Sequence, residues 1–166
     1  CGSVELANEV RVLGCASDTV VPGVGAKSGV VRFTKLMVSN DCALVAEAGA
    51  TAQFDSITKL GSFSLSQRGA GTVELAGDFA IDGDWSLEAG AALVVDGVLT
   101  VADGAKLLAA VPETLVPGER YTLVSAGSIV GKFDLSGIAA PRGWKVRQYG
   151  NKVVLLEDRG LMLLLR

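Results

Sequence analysis

The chain is 166 residues long, of which 49% are hydrophobic and 20% charged, a composition that can bury a core within one domain and excludes disorder. Histidine is absent, which removes the commonest general base and metal ligand, and with them Ser-His and Cys-His nucleophile pairs. A net charge of −3, with Lys and Arg scattered along the sequence, argues against a nucleic-acid partner.

In chain order Cys1 comes first, with neither an initiator Met nor a basic-then-apolar signal segment before it. A processed terminus or a piece of a longer chain is expected. Cys1-Gly2-Ser3 looks like the start of a bacterial lipoprotein, where the thiol carries the lipid; a chance cut gives the same letters. With Cys15 and Cys42 the thiol count is odd, so one disulfide at most is expected, or three small buried hydrophobes. No Cys-x-x-Cys pair exists to hold zinc. From Val4 to Val12 apolar and charged residues alternate, the period of a half-buried strand. The same alternation returns at Val73 and Leu75, Phe79 and Ile81, Trp85 and Leu87, Leu93 to Val95, Leu99 to Val101 and Leu107 to Ala109. Turn signals such as Gly77-Asp78, Asp82-Gly83, Asp96-Gly97 and Asp103-Gly104 separate them too closely for helices.

Glu47-Ala-Gly-Ala-Thr51, Arg68-Gly-Ala-Gly-Thr72, Glu88-Ala-Gly-Ala-Ala92 and Ala102-Asp-Gly-Ala-Lys106 read as variants of one turn, each leading into an apolar strand. Their corner glycines, Gly49, Gly71 (or Gly69), Gly90 and Gly104, recur about every 20 residues and then after a shorter step, as in solenoid repeats. The predicted fold is all-β: a parallel β-helix whose rungs stack about 4.8 Å apart, with Val, Leu, Ile and Ala filling a narrow lumen. A tight corner that needs φ > 0 explains each glycine.

The rhythm changes at Val111-Pro112, so 1–111 reads as solenoid rungs and 112–166 as C-terminal cap strands with a terminal apolar strand. Tyr121 to Phe133 is predicted as strand, turn and strand. Trp144 to Val146 and Lys152 to Leu156 complete a β-meander around Tyr149-Gly150-Asn151. Tyr121, Phe133, Trp144 and Tyr149 would plug the last rung, since a bare solenoid end exposes core and strand edge. Leu161, Met162, Leu163, Leu164 and Leu165 form an apolar run with no alternation, five residues where a membrane span needs about 20. As a strand it must be covered, by the cap itself or by adding to the exposed sheet edge of a neighbouring copy.

Leu87-Glu-Ala-Gly-Ala-Ala-Leu-Val-Val-Asp-Gly-Val-Leu-Thr-Val101, then Tyr121-Thr-Leu-Val with Ile129-Val-Gly-Lys-Phe133, then Trp144 and Asn151-Lys-Val-Val-Leu155, resemble the passenger regions of bacterial autotransporters and related repeat-rich surface proteins. The resemblance covers roughly 45–156 and implies a right-handed parallel β-helix and an extracellular or cell-surface location on a bacterium. That family places a membrane-embedded barrel after the passenger, whereas this sequence stops at Arg166, so the expectation is either that the barrel has been removed or that this is a surface protein using the repeat without it.

Asp78, Asp82 and Asp84 read either as paired carboxylates or half a Ca²⁺ site, or as turn residues bonding backbone amides. Arg142, Lys145 and Arg147 beside Trp144 read as a sugar platform with a basic rim, or as solvated charges around a capping Trp. No catalytic residue, metal ligand or cofactor is assigned. The expected function is a non-catalytic structural module, a stalk, surface-layer or fibre subunit that associates end to end. The alternative is a glycan-binding or polysaccharide-degrading passenger fragment.

Overall fold

Apolar alternations a few residues long, each closed by a glycine turn, leave no stretch on which a helical stripe could form. In a computed structural model of the protein, residues 3–12, 23–39, 41–60 and 64–158 are described, with 3–12 described as backbone only. Among them most residues are in strands and none is in a helix.

The strands repeat in groups. β1 (Ser3–Val12) comes first, followed by β2 (Gly23–Ala26) and the long β3 (Val30–Val38). The next turn of chain holds β4 (Cys42–Ala46), β5 (Thr51–Phe54) and β6 (Ile57–Lys59). The one after holds β7 (Leu65–Arg68), β8 (Thr72–Leu75) and β9 (Phe79–Ile81). β10 (Trp85–Leu87) and β11 (Ala92–Val101) form another, and β12 (Leu107–Ala109) and β13 (Arg120–Val130) the last. β14 (Trp144–Tyr149) and β15 (Lys152–Glu157) finish the described chain.

A ten-stranded sheet runs in the order β1-β3-β5-β8-β11-β13-β15-β14, with β6 beside β3 and β9 beside β11. β2, β4 and β7 form a second sheet, β10 and β12 a third. Every pairing among β1 to β13 is parallel. The result is a parallel β-solenoid of about 4 turns.

Its interior is a set of side-chain columns. Ala52, Val73, Leu93 and Val124 are register partners in succession and all fully buried. Beside them Phe33, Phe54, Leu75 and Val95 make a second column, whose two phenyl rings stack with centroids 4.8 Å apart and planes 10° off parallel. That separation is the strand spacing itself, about 4.7–4.9 Å, so the backbone ladder sets the ring contact.

The turns fall into two places that the sequence reading merged. Gly49, Gly69 and Gly90 join β4 to β5, β7 to β8 and β10 to β11, all at one corner, whereas Gly104 joins β11 to β12 at another. Locally the turns are alike, with Ala50 N–H donating to Glu47 O, Ala91 to Glu88 O and Ala105 to Ala102 O. This is why Gly104 follows after a short step: it closes a different side of the same rung. In the β7–β8 turn the positive φ, +85°, belongs to Gly69 and not to Gly71. Gly71 stands where the neighbouring rungs have buried Ala50 and Ala91, and a Cβ there would run into the carbonyl oxygens of Glu47 and Ala50.

Two further differences concern the C-terminal third. Residues 120–130 are one strand, β13, parallel to β11, not strand, turn and strand; Gly127 lies where the register slips, packed over the Asp96 and Gly97 carbonyls. The coil therefore continues past 111. Residues 110–119 leave it as a loop closed by a Pro117-Gly118 turn, Glu119 N–H to Val116 O. The Tyr121 hydroxyl accepts from Val116 N–H at 2.9 Å and donates to Glu119 at 3.1 Å, tying that loop down. Only β13-β15-β14 is antiparallel, and this small meander closes the end.

Alanine at Gly49, where φ is +74° and the added methyl meets open space, should cost about 1–2 kcal/mol of backbone strain. Alanine at Gly69, where the methyl would also strike the Ala46 carbonyl, should lose about 1–3 kcal/mol more. Urea unfolding of the two variants checks this; equal losses would show that the corner has room to spare.

Candidate functional site

The acidic segment of the third turn resolves into separate roles. Asp78 Oδ1 accepts the Val98 N–H at 2.8 Å, and Asp84 Oδ1 accepts the Lys106 N–H at 3.1 Å. Asp41 does the same for Ser64 N–H at 2.7 Å. Each carboxylate thus clasps an amide one rung further on, where a corner interrupts the ladder. Asp82 is the exception: its side chain is 78% exposed, with Lys59 Nζ 3.9 Å away. These contacts match the turn reading of the aspartates, except that the amides they hold belong to the next rung and not to the local turn.

Beside them lies a hollow of about 520 Å³, lined among others by Lys59, Ser64, Phe79, Asp82, Asp84 and Trp85. Phe79 meets Trp85 edge-on at 5.8 Å. The Trp85 indole N–H and Gln67 Oε1 are buried without a partner. Gln67 is otherwise held, its amide N–H groups donating to Ala92 O at 3.0 Å and Gly71 O at 3.4 Å. Among the described residues no group of three or more His, Cys, Asp or Glu could hold a metal ion.

Cys42 is a fully buried free thiol on β4, its Sγ 3.7 Å from Ala43 O. Burial pushes its pKa up, against a smaller opposing backbone hydrogen bond at Val24. Cys1 and Cys15 lie outside the described residues. No helix among the described residues is long and apolar enough to cross a membrane.

The cap brings some of its expected aromatics together and not others. Phe133 is buried, its N–H donating to Gln148 Oε1 at 3.1 Å. Tyr121 and Trp144 meet with centroids 5.9 Å apart, both packed against the core. Tyr149 is 48% exposed and takes no part in the plug. Strand alternation is the reason: Trp144, Val146 and Gln148 point one way along β14, so Lys145, Arg147 and Tyr149 point the other. Trp144 and the basic residues beside it are therefore on opposite faces, and no platform combines them. Across the ladder, Arg147 opposes Val154, Tyr149 opposes Lys152, and Leu156 pairs with both Lys145 and Arg120. Arg120 and Lys152 thus join Arg147 and Tyr149 on one outer face. Sequence reading missed both; the hairpin at Gly150 was signal enough to place Lys152 opposite Tyr149.

The assembly residues Leu161 to Leu165 lie outside the described residues. The edge strands are described: β1 pairs only with β3, and β14 only with β15, among the described residues. No family model, no curated protein and no solved structure matches the chain.

Asp84→Ala should lose about 1 kcal/mol, the net worth of one hydrogen bond, while Asp82→Ala should stay within about 0.5 kcal/mol of the parent. Urea midpoints decide; an Asp82 loss as large as that of Asp84 would assign the exposed carboxylate a structural role it lacks here. For Cys42, alkylation by iodoacetamide at pH 8 followed by peptide mass spectrometry should find the native thiol unlabelled and the urea-unfolded thiol labelled. Because its folded pKa is raised, any stability linked to this thiol is full below the unfolded value and fades as pH rises through the folded one.

Proposed function

We propose that the protein is a non-catalytic structural module of a bacterial surface, a β-solenoid that serves as stalk, surface-layer or self-assembling fibre subunit. The observation that carries this reading is the continuous ladder from β1 to β14, whose two outermost strands each pair on one side only among the described residues. Parallel ladders over stacked columns make a stiff rod, and open strand edges are templates for another chain. The acidic side chains of the third turn support it too, because two of the three are committed to backbone amides and not free for general acid or base work. Assembly proceeds by strand addition: Leu161 to Leu165 of one copy pair with the edge of the next, and main-chain hydrogen bonds run along the added strand. Such a contact joins unlike surfaces and does not close, so it builds fibres.

A chain ending at Asp158 tests this by size-exclusion chromatography and negative-stain imaging. The expected result is a shift from assemblies to a single-chain elution volume with loss of filaments. Unchanged elution and unchanged filament content, or a full chain that is monomeric throughout, would overturn it.

A further inference from the structure

We infer that the outer face of the cap sheet binds an acidic polysaccharide, carboxylated or sulfated. The face is built by β13, β15 and β14, and its exposed members Arg120, Arg147, Lys152 and Tyr149 surround a floor of Val154 and Leu156. A hollow of about 410 Å³ lies over Arg120, Thr122, Tyr149, Lys152, Val154 and Leu156, and a second of about 320 Å³ shares Arg120, Tyr149 and Leu156 with it. Lys145 is occupied by Asp158, and Glu157 accepts from Gly118 N–H at 3.1 Å. Among the described residues Arg120, Arg147 and Lys152 have no carboxylate partner. Glu119 and Glu157 border the smaller hollow on the Arg120 side, whereas Arg147 and Lys152 have Val154 and Tyr149 as register neighbours on β14 and β15. Cations gathered in this way repel one another, and an external anion relieves that repulsion.

The chemistry of the face selects the class of anion. Guanidinium groups take carboxylate or sulfate oxygens in pairs, while an exposed tyrosine ring offers an apolar surface to the C–H face of a sugar. A second copy of the chain is the less suitable occupant. Part of the acid its coil presents is already engaged, Asp41, Asp78 and Asp84 by backbone amides, Asp55 by Arg32 and Glu74 by Gln53, and a protein surface offers Tyr149 no sugar ring to stack on. Arg147 and Tyr149 belong to the edge strand β14 but stand on the face of the sheet, so the site is read by glycan binding and the assembly by removal of residues 159–166.

The test uses the full chain in binding assays against polygalacturonate and heparin fragments, with neutral dextran and duplex DNA as the other arms, at about 50 and 300 mM salt. At least one acidic glycan should bind, more weakly at the higher salt, while dextran does not. Arg147→Glu with Lys152→Glu should lower that affinity about tenfold or more, since each charge-assisted contact is worth on the order of one decade. Tyr149→Ala should weaken it several-fold, and Arg68→Glu, elsewhere on β7, should leave it unchanged. If the double reversal melts early, Arg147→Gln with Lys152→Gln is read in its place. No binding to either acidic glycan, binding indifferent to these substitutions, dextran bound equally, or DNA bound more tightly than both glycans would each overturn the inference.

Discussion

The strands of the coil take their hydrogen-bond partners from neighbouring turns of chain, and this mutual dependence governs the rest of the structure. No single rung can bury its apolar side alone, so the rungs must stack. Stacking in turn fixes which residues share a column. A slip of one residue would send a column to the solvent; the structure resists it at the corners. There the ladder is interrupted, and Asp41, Asp78 and Asp84 restore it by reaching to an amide of the next turn. The register is thus held by hydrogen bonds where there is strand and by carboxylates where there is not.

Much of this was legible because it rests on demands that few residue types satisfy. Positive φ at a corner leaves glycine as nearly the only candidate, so Gly49 and Gly90 announce themselves in the sequence. What the letters could not distinguish is which corner a glycine closes. The turn at Gly104 has the same local hydrogen bond as the turn at Gly90, and only the sheets on either side tell them apart. Gly71 and Gly69 were confusable for a related reason. One is needed for its φ and the other for its missing methyl, and the second demand depends on carbonyls of the preceding rung that a linear reading cannot see. Gly127 misled likewise: a glycine inside a strand reads as a turn until a neighbouring strand explains the bulge.

Charge was legible only as an average. A net −3 over the whole chain conceals a division: between Asp41 and Glu119 the cations are Lys59, Arg68 and Lys106 alone, set among many acids, whereas the cap is rich in Lys and Arg. Scattered in sequence, Arg120, Arg147 and Lys152 meet because an antiparallel hairpin folds β15 between β13 and β14. The division between acidic body and basic cap runs along the sequence; the reversal of strand direction after the last parallel turn gathers the cap's cations on one face.

That reversal also closes the end of the coil. Val153 sits over Val124 and Leu155 over Tyr121, so β15 completes the columns begun in the coil while running against it. The core is closed with its own kind of side chain, yet the strand that closes it has turned the backbone around. Beyond β15 the sheet presents β14, which runs antiparallel to β15 and so in the same sense as the strands of the coil; at the other end β1 lies parallel to β3. The reversal is thus confined to β15, and a strand can pair parallel on one side and antiparallel on the other, as β13 does. The two edges still differ, β1 being ten residues long and β14 six, so any rod that joins one edge to the other joins unlike surfaces and carries a direction.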